Sequence, residues 1–240
     1  MKLTDTHLGT HRLHRFENTA TLDAALCGWL SDRLGEATAG AARASLALSG
    51  GSTPKGLFAQ LSRAPLAWPR IDVSLVDERW VPVDDAQSNE AMIRETLLVD
   101  EAAVANFVGM YQPLESIEAN ALAHDRRLQE IHQPFTVTVL GMGPDGHSAS
   151  WFPDADETPL AIDPAQERMT CVTRPRSQPT ERLTLSYSCV ARSEHLCLHI
   201  TGEEKFAVLC NVDGVAALPI HQVLSLLEEQ GKIVDIFWSP

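Results

Sequence analysis

Several features are missing from this 240-residue sequence, and each absence narrows what the protein can be. No apolar run reaches the ~18–20 residues that a bilayer-spanning helix needs, so no membrane partner is expected. The N-terminal stretch MKLTDTHLGTHRLHRF has no apolar signal core, which argues against secretion through a cleaved signal peptide. Cysteine is scarce. Cys27, Cys171, Cys189, Cys197 and Cys210 form an odd set with no pair at CxxC spacing. That argues against a disulfide framework or a zinc site, and fits a reducing cytoplasm. Positive charge is also short, with 19 Lys and Arg against 32 Asp and Glu and a net charge of -13. A nucleic-acid binder needs a basic face, so no nucleic-acid partner is expected. An anionic substrate would require a local cluster of cations, which can prevail because the global field is screened beyond ~8 Å.

The catalytic signatures that are absent are equally informative. There is no HExxH pattern and no Cys/His cluster, so no metal is expected. There is no GxSxG elbow, so a hydrolytic reaction would use water activated by a base and not a covalent serine. Neither a Walker A loop nor a GxGxxG fingerprint occurs, and there is no internal repeat or low-complexity tract.

What is present is an alternation of strand and helix signals. ATLDAALCGWLSDRL carries Leu22, Leu26, Trp29, Leu30 and Leu34 at near-helical spacing, with Asn18 or Thr19 as cap. RASLALSGGSTP reads as a strand stopping at Gly50-Gly51, with Pro54 opening the helix PKGLFAQLS. IDVSLVDERWVP reads as one strand ending in charge near Asp77. SNEAMIRETLL, SIEANALAHDRRLQEIH, GEEKFAVLCNV and LPIHQVLSLLEEQ read as helices. FTVTVLGMG, MTCVTRP, EHLCLHIT and KIVDIFW read as strands, and residues 153–168 as a surface loop. His7, His11 and His14 read as part of a solvated polar segment. The alternation predicts an α/β fold: a mostly parallel twisted sheet with helices on both faces, a Rossmann-like three-layer sandwich, in a single domain over residues 1–240.

Three of the strands end in unusual loops: SGGSTP, VDERWVP and GMGPDGH. Ligands of open α/β sheets bind outside the carboxyl ends of the strands, so the three loops are expected to share a pocket. In the first, Gly50 and Gly51 let the backbone approach a ligand, and Ser52 and Thr53 add hydroxyl donors. A tight turn with a good cap would look the same. In the second, Asp77, Glu78 and Arg79 follow an apolar strand, as solvated local ion pairs also would. The third is the most specific. Gly141, Gly143 and Gly146 can bend the chain so that Asp145 and His147 face the pocket, with histidine suited to acid–base work and Asp145 placed to orient it. Arg182 opens ERLTLSY, and Lys205 sits in the first turn of a helix, where a cation is disfavoured unless an anion or the adjacent Glu203 and Glu204 offset it.

Together LSGGSTP, VDERWVP with SNEAMIRETLL, GMGPDGHSASWFP, RLTLSY and TGEEKFAVL resemble the 6-phosphogluconolactonase family, within a wider group that includes the glucosamine-6-phosphate deaminases. The matching pieces span roughly residues 46 to 209 in the family's order. The resemblance implies hydrolysis of 6-phosphoglucono-1,5-lactone to 6-phosphogluconate in the oxidative pentose phosphate pathway, without metal or cofactor, by a cytoplasmic monomer or homodimer. It implies that His147 activates water, that Asp145 and Asp77 shape and polarise the site, and that Arg182 and Lys205 hold the phosphate. Arg79 and the Gly50–Thr53 loop would line the same pocket. Deaminases carry an acid five positions after the loop histidine, where this chain has Phe152, and tend to have tyrosine in place of Arg79. Both differences favour the lactonase over a sugar-phosphate isomerase or deaminase. The lack of a basic helix-turn-helix region disfavours a non-catalytic sugar-phosphate sensor. Trp151 and Asp154 depart from the family's usual leucine and glycine, with an effect expected on packing alone.

Overall fold

The computed structural model describes residues 6–40, 42–211 and 218–240. The first half contains β1 (His7–Leu8), β2 (His11–Arg15), α1 (Thr19–Ala37), β3 (Ala44–Leu48), α2 (Lys55–Leu61), β4 (Ile71–Leu75), β5 (Asp77–Arg79), α3 (Asn89–Thr96), β6 (Asn106–Val108) and α4 (Ile117–Leu128). The second half contains β7 (Val137–Leu140), α5 (Thr158–Ala161), β8 (Thr170–Thr173), β9 (Arg182–Leu185), α6 (Tyr187–Ala191), β10 (His195–Thr201), α7 (Glu203–Cys210), α8 (Pro219–Glu229) and β11 (Val234–Ser239).

Eight strands form one sheet in the order β1-β2-β11-β10-β7-β3-β4-β6, and every neighbouring pair is parallel except β1 with β2. Successive residues of β3, β4 and β7 are all buried, so both faces of the sheet centre are covered. On α1, Leu22, Leu26, Leu30 and Leu34 form the buried stripe that its spacing predicts. The Asn18 side chain caps it by accepting the Thr21 N–H at 3.0 Å. The chain runs outward through β3, β4 and β6, then returns to the other side of β3 as β7 and runs outward again through β10 and β11. The order therefore reverses between β3 and β7, and their carboxyl ends frame the crevice where ligands of such sheets bind.

Two expectations are corrected here. IDVSLVDERWVP is two strands in two sheets. At Val76 the chain changes partners: its N–H donates to Leu48 of β3, and its carbonyl accepts from Leu185 of β9. Beyond it β5 joins β9 and β8 in a small antiparallel sheet, in the order β5-β9-β8. The N-terminal histidines are not solvated as a group either. Strand β2 lies parallel to β11, and His11 is fully buried. The His11 Nε2–H donates to the Leu224 carbonyl at 3.0 Å, and its Nδ1 accepts from Val234 N–H. His14 lies 2.7 Å from Asp235 and stacks on Phe237. These are structural histidines, placed by long-range strand pairing. The 153–168 segment contains the short helix α5, within an otherwise irregular stretch.

Glu78, on β5, joins the small sheet to α3. Its Oε1 accepts the N–H groups of Arg79 and Asn89, each at 2.8 Å, and its Oε2 accepts Glu90 N–H at 2.7 Å and the Ser88 hydroxyl at 3.2 Å. Burial pushes this carboxyl up from 4.5 to about 7, although the three N–H donors pull the other way. The folded protein thus binds the proton more tightly than the unfolded chain. The resulting stability is fully present below about 4.5 and is lost as pH rises through about 7. Compared by urea unfolding, the stability deficit of Glu78→Gln against wild type should be larger at pH 5 than at pH 8, by on the order of 2 kcal/mol. A deficit independent of pH would contradict this account.

Candidate active site

The four adjacent central strands β10, β7, β3 and β4 point their carboxyl ends the same way and deliver their following loops to one cleft. The cleft encloses about 250 Å³. Gly50, Gly51, Ser52 and Thr53 line it from the loop after β3, and Asp77 and Arg79 from β5. Gly141, Gly143 and His147 line it from the loop after β7, His199 from β10 and Lys205 from α7. The three loops singled out in the sequence do meet.

The loop after β7 is built around His147. Gly143 N–H donates to the His147 carbonyl at 2.9 Å, Gly146 N–H donates to the Gly143 carbonyl at 3.1 Å, and Gly146 has φ +76°. A Cβ on Gly143 would overlap the His147 ring and the Asp145 carboxylate, so only glycine fits beside the pair. His147 Nδ1 lies 2.5 Å from Asp145 Oδ1. Partial burial raises the Asp145 carboxyl, but the hydrogen bond and charge of His147 outweigh it and hold the group below the usual carboxylate range. An ionised carboxylate can only accept, so Nδ1–H is the donor to Asp145, and Nε2 is the ring nitrogen left for a partner in the cleft. The Phe152 ring stacks on the imidazole at 4.1 Å, with the Arg182 guanidinium 5.9 Å from the Phe152 centroid. Gly143→Ala should displace the His147 ring and lower kcat of a reaction that uses it at least tenfold, with little change in Tm, because an ångström of displacement at a reacting group is costly. Unchanged kcat would show that the glycine does not position the ring.

Although the chain carries a net charge of -13, cations gather at this cleft. Lys205 faces the cleft, and burial lowers its ammonium while Glu204 partly restores it. Arg79 lines the cleft and donates to the Gln87 carbonyl. Directly across the small sheet from Arg79 is Arg182. Burial pushes the Arg182 guanidinium down to about 10, and the charge of Arg79 adds to the shift. It is still charged at neutral pH, with Nη1 buried and unpartnered. A buried cation without a carboxylate is expensive unless an anion completes it. Arg182 and Asp145 do not line the cleft themselves: Asp145 reaches it through its bond to His147, and Arg182 lies across the small sheet from Arg79 and beside Phe152.

Several residues of the site were not singled out from the sequence as site residues. Asn89, the first residue of α3, lines the cleft and donates from Nδ2 to the Asp77 carbonyl at 2.9 Å. A Cβ on Gly50 would overlap the Asn89 side chain, which gives that glycine a packing reason as well. The cap of α3 is Ser88, whose side chain accepts Ala91 N–H. His199 is buried at the cleft floor with Nε2 3.5 Å from Asp23 Oδ1. Burial lowers His199 to about 4, with Lys205 adding to the shift, and raises Asp23 to about 6. At neutral pH the histidine is therefore neutral and the aspartate charged. One signal was visible, an acid inside the apolar helical run TLDAALC.

Trp151 fills the core behind the loop and donates from Nε1 to the Leu185 carbonyl at 3.1 Å. Asp154 accepts the Ser177 N–H. The two departures from the family pattern are thus both tied into packing and loop structure.

Comparison with known proteins gives a consistent result. Residues 17–234 match the family model described as glucosamine-6-phosphate isomerases/6-phosphogluconolactonase. The chain is 39% identical over 232 residues to the 6-phosphogluconolactonase of Mesorhizobium japonicum, covering 96% of each. It is 44% identical over 184 residues to that of Pseudomonas aeruginosa, covering 77% of each. The crystal structure of a 6-phosphogluconolactonase from Shewanella baltica superposes with a TM-score of 0.89 at 36% identity, covering 96% of this chain and 98% of that one.

Proposed function

Because this chain belongs to the glucosamine-6-phosphate isomerase/6-phosphogluconolactonase family, we propose that its cleft hydrolyses 6-phosphoglucono-1,5-lactone to 6-phosphogluconate, the second step of the oxidative pentose phosphate pathway. The observation that carries this reading is the Asp145–His147 pair, which engages Nδ1 and leaves Nε2 available in a cleft whose other groups include Arg79 and Lys205.

In the proposed mechanism His147 Nε2 takes a proton from a water molecule as its oxygen attacks the lactone carbonyl carbon. Asp145 stabilises the imidazolium that forms, as a carboxylate on Nδ1–H does in other acid–base pairs. The tetrahedral oxyanion collapses, the bond from the carbonyl carbon to the ring oxygen breaks, and the imidazolium returns its proton to that oxygen. One water is consumed, and the new carboxylic acid ionises in solvent. Backbone N–H groups of the glycine-rich loops are the donors available for the oxyanion. Asp77 offers a carboxylate oxygen to a sugar hydroxyl or to the attacking water. Arg79, Lys205, Ser52 and Thr53 receive the phosphate, with Arg182 adding charge from across the small sheet. Phosphate binding far from the reacting carbon then fixes orientation there. No metal or cofactor takes part in this scheme.

Phe152 bears on the alternative within the family. A deaminase would need an acid at this position, and here an apolar ring stacks on the base. The unit is proposed to act as one domain, monomeric or dimeric, since one chain supplies every group named. A cytoplasmic setting suits its five free thiols. No helix among the described residues is long and apolar enough to cross a membrane. A pH-stat assay tests the reading: acid release from freshly made phosphorylated lactone should exceed the spontaneous rate. Ammonia release from glucosamine 6-phosphate without lactone hydrolysis would overturn it.

A further inference from the structure

Ser150 lies directly behind the cleft, and all three strands of the small sheet bind it. Its N–H donates to Thr184 Oγ1 of β9 at 3.2 Å, and its carbonyl accepts from Thr173 Oγ1 of β8 at 2.8 Å. Its hydroxyl donates to Asp77 Oδ2 of β5 at 2.7 Å. The serine itself is fully buried. The residue before it, Ala149, has φ +50°, a conformation that costs a non-glycine residue energy and persists only where surroundings impose it. The turn is closed by a bridge between Ser148 and Trp151. The strained turn is thus held by its bonds to the sheet, three residues past His147.

The consequence falls on Asp77. Among the described residues the Ser150 hydroxyl is the one hydrogen-bond donor to the Asp77 carboxylate, and it occupies Oδ2. That leaves Oδ1 for a partner in the cleft that Asp77 lines. Among the described residues no guanidinium or ammonium is bonded to Asp77, although Arg79 is two residues away on the same strand. A carboxylate held only by its backbone would turn toward such a cation. From this geometry we infer that Ser150 is a positioning residue for lactone hydrolysis, which aims the Asp77 carboxylate into the cleft and ties the His147 loop to the sheet that carries Asp77 and Arg79. The inference rests on the function proposed above.

A double-mutant cycle tests it, with Tm recorded for every variant. Ser150→Ala removes only the hydroxyl and keeps both backbone bonds, so the fold is expected to survive. It should lower kcat on the phosphorylated lactone about tenfold, while the inhibition constant for inorganic phosphate stays within twofold. Asp77→Asn should lower kcat further. The double variant should be no worse than Asp77→Asn alone, because the serine acts through the aspartate. Ser150→Thr, which keeps a hydroxyl, should recover part of the loss. Additive losses in the cycle, or full activity in Ser150→Ala, would overturn the inference while wild-type hydrolysis leaves the function standing. A wild type that does not hydrolyse the lactone would overturn both.

Discussion

Replacing His147 with alanine should lower kcat for phosphorylated lactone by about 10²–10⁴, the range that a positioned general base contributes. The fold should not change. The ring lies on the loop after β7, about a quarter exposed, and its two tight contacts are the Asp145 carboxylate and the Phe152 face. Loss of the ring removes both proton transfers of the proposed cycle, from the water and to the ring oxygen. KM should move little, since the groups assigned to the phosphate are untouched. Asp145→Asn should give a smaller defect of the same kind. It retains an acceptor for Nδ1–H but not the charge that stabilises the imidazolium. Circular dichroism and Tm measured beside the kinetics would separate a lost base from a lost fold. Wild-type kcat in a folded His147→Ala protein would remove the residue from the mechanism.

Replacing Lys205 with alanine should act on binding. A hydrogen bond to a charged group is worth about 1.5–3 kcal/mol, so KM should rise about 10- to 150-fold with kcat within a few-fold of wild type. The reason is local. The chain is strongly acidic, and among the described residues Lys205 and Arg79 are the two lysine or arginine side chains lining the cleft, with Arg182 across the small sheet from Arg79. Partial burial already lowers the lysine's ammonium, as expected for a cation kept out of bulk water until an anion arrives. The unphosphorylated lactone supplies the control. Its weak hydrolysis should be the same in Lys205→Ala as in wild type. Equal losses on both lactones would mean that the lysine supports the fold or the reaction centre and not the phosphate.

The parts of this account that were legible in the sequence share a physical origin. The helix α1 and the strand β7 are local: leucines four apart with an Asn cap, and a β-branched run ending in glycines. The three loops were legible because glycine or charge directly after an apolar strand stands out, and ligands of α/β sheets bind at those strand ends. What was not legible depends on distant partners. The break at Val76 is set by Leu48 and Leu185, far away in sequence on two different sheets. Strand β2 exists because β11 lies beside it, more than two hundred residues later, and its polar composition hides that pairing. Asn89 and His199 reach the cleft by packing, and nothing in their own neighbourhoods distinguishes a cleft residue from a cap or a core histidine. Ser150 is the clearest case. Within SASWFP the sequence singles out Trp151 and Phe152, yet it is Ser150 that is bonded to three strands from two separate stretches of chain.

The most direct test of the central claim is kcat/KM of the wild-type protein on freshly generated 6-phosphoglucono-1,5-lactone and on glucono-1,5-lactone, each corrected for spontaneous hydrolysis. The account predicts hydrolysis of the phosphorylated lactone well above background and at least 10²-fold greater than that of its unphosphorylated counterpart, because remote phosphate binding supplies the orientation. Equal values for the two lactones, or no rate above background with the phosphorylated one, would contradict it.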